Sequence, residues 1–447
     1  MGESVLKPDP QKSGKVGRAL VDTEALFADA GLTRESHSLL LGGVRLSEIA
    51  EKAGTPTFVY NAEVIRRQFR TLDTGLTGVK HRVCFAVKAN SNLAVLRVLR
   101  DLGAGADIVS GGEMLRALAA GFPAERIVFS GVGKSLRELD AAVEAGLGHI
   151  HLESADELHA LSGIAARQKR KVVVGIRVNP EVSADTHPYI ATGQGGIKFG
   201  VPFDQVVDLA LAVHADAWLQ LDSIAMHIGS QILDAKPYRQ GLERLTELVG
   251  RVRDAGVDTL RTLDMGGGLG IRYRDETPLT PDRLVQAILP VAEQTGLTIV
   301  LEPGRFLVGS AGVLLTTVLS RKHSGGKELV LVDAGMNDLV RPSHYQAYHE
   351  MVELETKGRP GGLVDVVGPV CETGDFLALD RELPGLVAGE RLAVLSAGAY
   401  GFVMSSNYNA RARAAEVMVD QGRWGVVRDR EKVEQLFAGE RAEPEWE

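Results

Sequence analysis

Cysteine is scarce in this chain: two among 447 residues, Cys84 and Cys371, far apart. That excludes the disulfide framework that staples small secreted domains. A basic excess is missing too. Fifty Lys and Arg stand against 58 Asp and Glu, a formal net charge of −8. No electrostatic footprint for nucleic acid or for an anionic membrane follows from such a balance. No apolar run reaches the roughly 20 residues of a membrane span. The opening MGESVLKPDPQKSGK has charge but no apolar core, which argues against a secretion signal. Leu6 stands where a myristoylation signal wants Ser or Thr. Together these absences predict a cytoplasmic protein.

What is present suits a large globular chain. Apolar residues make up 45%, and the length favours two domains, one large enough to be a barrel. Residues 1–37 are expected to form a loosely ordered leader with one helix near Thr23–Ala30.

Beyond it, β-rich apolar runs begin near Val83, Ala106, Ile127, His149, Val172, Asp222, Leu260 and Thr298. Helical periodicity marks Glu113–Ala120, Ser135–Ala145, Ala155–Gln168, Phe203–His214, Tyr238–Asp254 and Thr280–Thr295. Ser135 with Glu138 has capping-box spacing. Eight such alternations over roughly 220 residues match a (β/α)8 barrel. An open doubly wound sheet shares the alternation but wants a glycine fingerprint after its first strand, and AVKANSN is not one. The barrel is expected over residues 57–305. After Arg305 come short β-type runs between Gly and Pro turns, such as Val313–His323, Leu363–Val367 and Glu416–Val419. These predict a mainly antiparallel β-domain of residues 306–447, joined by residues 38–56 through a strand at Ser38–Val44.

In a barrel, chemistry sits where the strands end. Those ends carry Lys88, then Asp107 and Ser110, Ser130, Glu153, Asn179, His227, the Gly266-Gly267-Gly268 turn, and Glu302. Lys88 follows the apolar run Val83–Val87. Burial is expected to lower its pKa, and a neutral amine condenses with an aldehyde. A lone snorkelling lysine is the ordinary explanation; the other polar strand ends weigh against it. The glycine turn does not fit G-x-G-x-x-G, yet loops after strands 7 and 8 commonly hold phosphate. Glu302-Pro303-Gly304-Arg305 puts a carboxylate and a guanidinium on the same rim. Two motifs are set aside. Gly131–Ser135 lacks the first P-loop glycine, and His344 and His349 lack zincin spacing, so no metal is expected.

RVCFAVKANSNLAVL, ADIVSGGEM, HIGSQI, DMGGGLGI, LEPGRFLVGSAG, VDAGMNDLVRPSHYQAYH, GPVCETGD and GAYGFVMSSNYN run in this order. The set resembles the diaminopimelate decarboxylase family, among the alanine racemase-like enzymes that use pyridoxal 5′-phosphate (PLP). The resemblance spans about residues 38–425. It implies decarboxylation of meso-2,6-diaminopimelate to L-lysine, and a homodimer with shared active sites. It also implies that Lys88 carries PLP, His227 stacks on its ring, and Glu302 meets the pyridine nitrogen. Ser230, Gly268, Pro303, Gly304 and Arg305 complete the cofactor site. Arg305, Arg341 and Tyr345 would hold the distal carboxylate, Glu372 the distal ammonium, and Tyr400 both cofactor and substrate. Cys371 would be the proton donor, supplied by the partner. His344 stands where an apolar residue is common. An ornithine or arginine decarboxylase would share Lys88 and Glu302 but give no reason for Arg341 beside Tyr345. A non-catalytic PLP-binding protein would need only the barrel.

Overall fold

The computed structural model describes residues 21–182 and 198–446. Most of the expected leader, residues 1–20, lies outside them. The helix expected in the remainder is Thr23–Ala30, capped by Asp22 and ended by left-handed Gly31.

Eight strands form a closed barrel. They are β1 (His81–Ala86), β2 (Gly105–Ile108), β3 (Ile127–Phe129), β4 (His149–Leu152), β5 (Val172–Arg177), β6 (Leu219–Ala225), β7 (Thr262–Asp264) and β8 (Thr298–Leu301). Every pairing is parallel, and β8 returns to β1, so the sheet has no edge. Helices cover the outer face and side chains fill the inner one, so β2 and β4 are buried along their whole length. The helices fall where periodicity places them. Ser135 and Glu138 make the reciprocal capping box ahead of Leu136–Ala145. One expected helix divides: Phe203–Gln205 is a 3-10 turn before Val206–Ala215.

The second sheet has nine strands. Eight come from the end of the chain: β9 (Gly312–Ser324), β10 (Lys327–Val332), β11 (Met351–Glu353), β12 (Gly361–Val367), β13 (Phe376–Pro384), β14 (Arg391–Val394), β15 (Ala415–Asp420) and β16 (Arg423–Arg428). The ninth is Thr57–Asn61, antiparallel to β9 and parallel to β15. This corrects the expected joining strand. Ser38–Leu41 instead pairs with Leu32–Glu35 and Val44–Arg45 in a small sheet of its own. It meets the residues after β11 through the Ser38–Glu355 bridge and the Leu39 N–H to Leu354 O bond of 2.8 Å. Leu39 and Leu41 share a core cluster with Val313, Leu315 and Val417 of the larger sheet.

One apolar cluster runs from the barrel into the β-domain, and polar contacts join them at the site. The Tyr400 N–H donates to Ala89 O at 2.8 Å. Asn90 Nδ2 donates to Gly398 O at 3.0 Å. Gly398 is obligatory there, since a Cβ would lie 1.9 Å from Val308 O. The turn after β14 is thereby pressed onto the turn that bears Lys88. Among the described residues, no helix is long and apolar enough to cross a membrane.

Candidate active site

Lys88 lies in a single 3-10 turn, Val87–Ala89, at the end of β1. It opens into a cavity of about 340 Å³ at the barrel mouth, lined also by Ser130, His151, Arg177, His227 and Glu302. Nζ donates to Asp107 Oδ2, at the end of β2, at 2.6 Å. The expected pKa depression is not what the site produces. Burial does pull the amine down, but Asp107, Glu302 and Tyr400 outweigh it, and Lys88 ends above its ordinary value. The ammonium is its form in this pocket.

The acids outnumber it. Asp107, Asp264 and Glu302 are 0%, 1% and 7% exposed. Asp264 Oδ1 accepts the Gly266 N–H at 2.8 Å, Asp264 and Glu302 are joined side chain to side chain, and among the described residues Asp107 Oδ1 has no hydrogen-bond partner. Glu302 Oε1 accepts from Ser130 Oγ at 3.2 Å, and Ser130 Oγ lies 3.2 Å from His151 Nδ1. Burial, then Asp107 and Asp264, push Glu302 well above its usual carboxyl range. A ligand that presents a protonated nitrogen to Glu302 relieves this excess of buried acid, which is what the pyridinium of PLP offers. His151, Asp264 and Glu302 also bring donor atoms within 4.8 Å of one another, a spacing that suits a divalent ion as well.

The cradle around these groups is built from backbone. His227 Nδ1 accepts the Gly267 N–H at 3.2 Å, so the neutral ring carries its proton on Nε2. Burial, then Lys88 and Arg177, hold its pKa well below the histidine norm. A Cβ on Gly267 would lie 2.2 Å from Glu302 O, and one on Gly268, at φ 107°, 2.6 Å from Gly229 O. Only glycine lets β7 and β8 end this close. Gly304 packs likewise on Ala89, and Pro303 O accepts from Ala86 N–H at 3.2 Å.

Two buried arginines flank this floor. Arg305 donates through Nη2 to Ser230 Oγ at 3.2 Å and through Nη1 to Tyr273 Oη, and its guanidinium lies 4.9 Å from the Tyr400 ring centre. Arg341 lies over the other side of the tyrosine cluster, 4.6 Å from the Tyr273 ring centre. Each is 6% exposed, and among the described residues neither forms an ion pair with a carboxylate. Burial opposes the Arg305 charge, but Tyr273, Tyr400 and Tyr345 more than offset it. Tyr400 itself is held at φ 55°, rare for a residue with a side chain and typical of constrained sites. Uncompensated buried guanidinium is an anion site waiting for its anion.

Residues 62–309 match the sequence profile of the pyridoxal-dependent decarboxylase, pyridoxal binding domain. The diaminopimelate decarboxylase of Pseudomonas aeruginosa is 50% identical over 411 residues, 91% of this chain and 98% of that one. That of Aquifex aeolicus is 46% identical over 400 residues, 89% and 94% of the two chains. The crystal structure of the Helicobacter pylori diaminopimelate decarboxylase complexed with L-lysine superposes with a TM-score of 0.85 at 39% identity, covering 88% of this chain and 98% of that one. The chain belongs to the diaminopimelate decarboxylase family.

The remaining family positions are not all gathered in one place. Tyr345 ends the short helix Arg341–Tyr345, and the His344 ring meets it edge-on at 4.6 Å. Cys371 and Glu372 are exposed on a β-domain turn, where the Cys371 N–H donates to Asn409 Oδ1 at 2.8 Å. Neither lines the Lys88 cavity. Three strand-end signals serve the scaffold instead. Ser110 caps the helix Gly111–Ala119, Glu153 pairs with Arg177 at 2.8 Å, and Asn179 Oδ1 accepts the Glu181 N–H. Sequence reasoning missed Asp264, His151, Tyr273 and His349. Asp264 had a signal, since it directly precedes the glycine turn at a strand end.

Proposed function

We propose that this protein is a PLP-dependent carboxy-lyase that converts meso-2,6-diaminopimelate to L-lysine and CO2, the last step of lysine biosynthesis, in the cytoplasm. One observation carries the choice of substrate: Arg341, buried and without a carboxylate among the described residues, lies over the Tyr273 ring whose hydroxyl accepts from Arg305. Diaminopimelate brings a second carboxylate that ornithine lacks. An ornithine or arginine decarboxylase would leave that guanidinium desolvated and unpaired.

The cofactor, when bound, supplies the electron sink for the charge left as CO2 departs. The chain does the rest. Lys88 is the anchoring amine. Glu302 holds a proton at the ring nitrogen, and the uncharged His227 ring covers one face of the site. Ser230, Gly268, Pro303, Gly304 and Arg305 form the phosphate end, with Tyr400 between cofactor and substrate. Arg305, Arg341 and Tyr345 take the distal carboxylate; Glu372 takes the distal ammonium.

Cys371 delivers the proton to the α-carbon. Because Cys371 and Glu372 are exposed and do not line their own chain's cavity, we assign them to the site of a second copy in a homodimer. Mixing inactive Lys88→Ala with inactive Cys371→Ala is then expected to restore partial activity through one intact site per hybrid. No recovery after verified subunit exchange would remove the composite site.

The substrate test is direct. Purified protein with PLP is given meso-diaminopimelate, ornithine or arginine while CO2 and amine products are followed. Preference for ornithine or arginine would overturn the substrate and leave the cofactor assignment standing. No CO2 from any of them, with PLP bound, would favour a non-catalytic binding protein.

A further inference from the structure

Arg341 is held at two places. Nη1 lies 2.8 Å from His349 Nε2, and its face lies on the Tyr273 ring. The other nitrogen of His349, Nδ1, is 2.8 Å from Leu395 O. A carbonyl only accepts, so Nδ1 carries the proton. A guanidinium only donates, so Nε2 presents its lone pair. The imidazole is therefore neutral and in one tautomer, and burial beside Arg341 keeps its pKa well below the histidine norm.

The ring is itself held tightly. His349 is fully buried, and Tyr273 packs edge-on against it at 5.3 Å. Arg381 Nη1 donates to His349 O at 2.8 Å, and the Leu395 N–H donates to Glu350 O at 2.8 Å. Leu395 leads into the turn that carries Tyr400. His349 thus links the Arg341 guanidinium to the segment that presses on the Lys88 turn.

We propose that His349 is a positioning residue: acting through Arg341, it sets which guanidinium edge meets the carboxylate that the substrate keeps. The proposal rests on the reading of Arg341 given above. Losing CO2 removes one carboxylate from diaminopimelate, and the other persists in L-lysine. Substrate and product therefore both report on this contact, whereas 1,5-diaminopentane, which has no carboxylate, does not.

Two substitutions separate the ring nitrogens. His349→Asn keeps a donor near Nδ1 for Leu395 O but removes the acceptor at Nε2. His349→Gln keeps an acceptor where Arg341 needs one. In the PLP-loaded enzyme, His349→Asn is expected to raise KM for meso-diaminopimelate and Kd for L-lysine about tenfold, the worth of one charge-assisted hydrogen bond. Its kcat, cofactor content and affinity for 1,5-diaminopentane should hold, and His349→Gln should recover most of the loss. Unchanged KM and lysine affinity in both variants overturns the proposal. So does an equal loss of lysine, diaminopentane and cofactor binding, the mark of a purely structural residue. Should the Asn protein not fold, His349→Leu, which also lacks the acceptor, takes its place beside His349→Gln: a tenfold loss of lysine affinity in Leu but not in Gln upholds the acceptor role, and equal affinity in the two ends it. Arg341→Gln is measured alongside. If it too leaves lysine affinity unchanged, the reading of Arg341 has failed; if it alone weakens lysine, only the role of His349 has.

Discussion

Lys88 and Lys134 sit just past the ends of two strands of the same barrel, β1 and β3, and each has a carboxylate within 2.7 Å, Asp107 and Glu157. Their surroundings differ. The Lys134 side chain is wholly enclosed, its Nζ shared between Glu157 and Gly131 O at 2.7 Å each. Burial holds its amine below the ordinary lysine value. The Lys88 side chain is 33% open to the cavity, and several acids raise it. A buried amine with a depressed pKa, the criterion that singles out Lys88 in the sequence, describes Lys134. What distinguishes the candidate catalytic lysine is access, together with a local surplus of acid that a cationic ligand relieves.

The largest expected effect breaks the comparison at its functional side. Lys88→Ala should cut CO2 release from meso-diaminopimelate by about a thousandfold or more, as loss of a covalent catalytic group does. It should leave the fold intact, and borohydride treatment should no longer attach a pyridoxyl group to the chain. A reduced adduct on the variant would move the anchoring amine elsewhere, and Lys134 would be the first place to look.

Lys134→Met tests the other side. It leaves Glu157 enclosed beside Gly131 without its cation, and breaking a buried pair this way costs about 3–5 kcal/mol of stability. The expected result is a lower unfolding midpoint in urea with cofactor still bound at low temperature. Full stability with lost activity would reverse the roles assigned to the two lysines.

The same contrast shows what the sequence carries. Strand ends are local: apolar runs stop at polar residues, and Lys88, His227 and Glu302 are found at those stops. Ser135 and Glu138 lie within one turn, so their capping box is legible as spacing. Thr57–Asn61 is as apolar as a barrel strand, and its place in the other sheet depends on Gly312–Leu315 and Ala415–Val419, far along the chain. The ionisation of Lys88 fails for a related reason. Its sign is set by Asp107, which closes on it when β2 pairs with β1, and by Glu302, which does so only when β8 meets β1. The contact between Arg341 and His349 depends on a loop whose course no local pattern announces.

The smallest effect concerns the surplus of acid itself. In the cofactor-free protein Glu302 is raised by burial and by its acidic neighbours, whereas unfolded Glu titrates near about 4.3. Between those two values the folded state binds more protons than the unfolded one, so stability falls as pH rises. Each pH unit in that window costs up to about 1.4 kcal/mol per group. Glu302→Gln removes one such group. Its cofactor-free form should match the parent near pH 4 and become progressively the more stable of the two toward pH 7. The same variant should release CO2 about a hundredfold more slowly, because an amide does not hold a proton on the ring nitrogen. Thermal unfolding of both cofactor-free proteins across that range decides it. A Tm difference that stays flat with pH would mean that Glu302 is ionised in the empty pocket, and that Lys88 alone balances the acids around it.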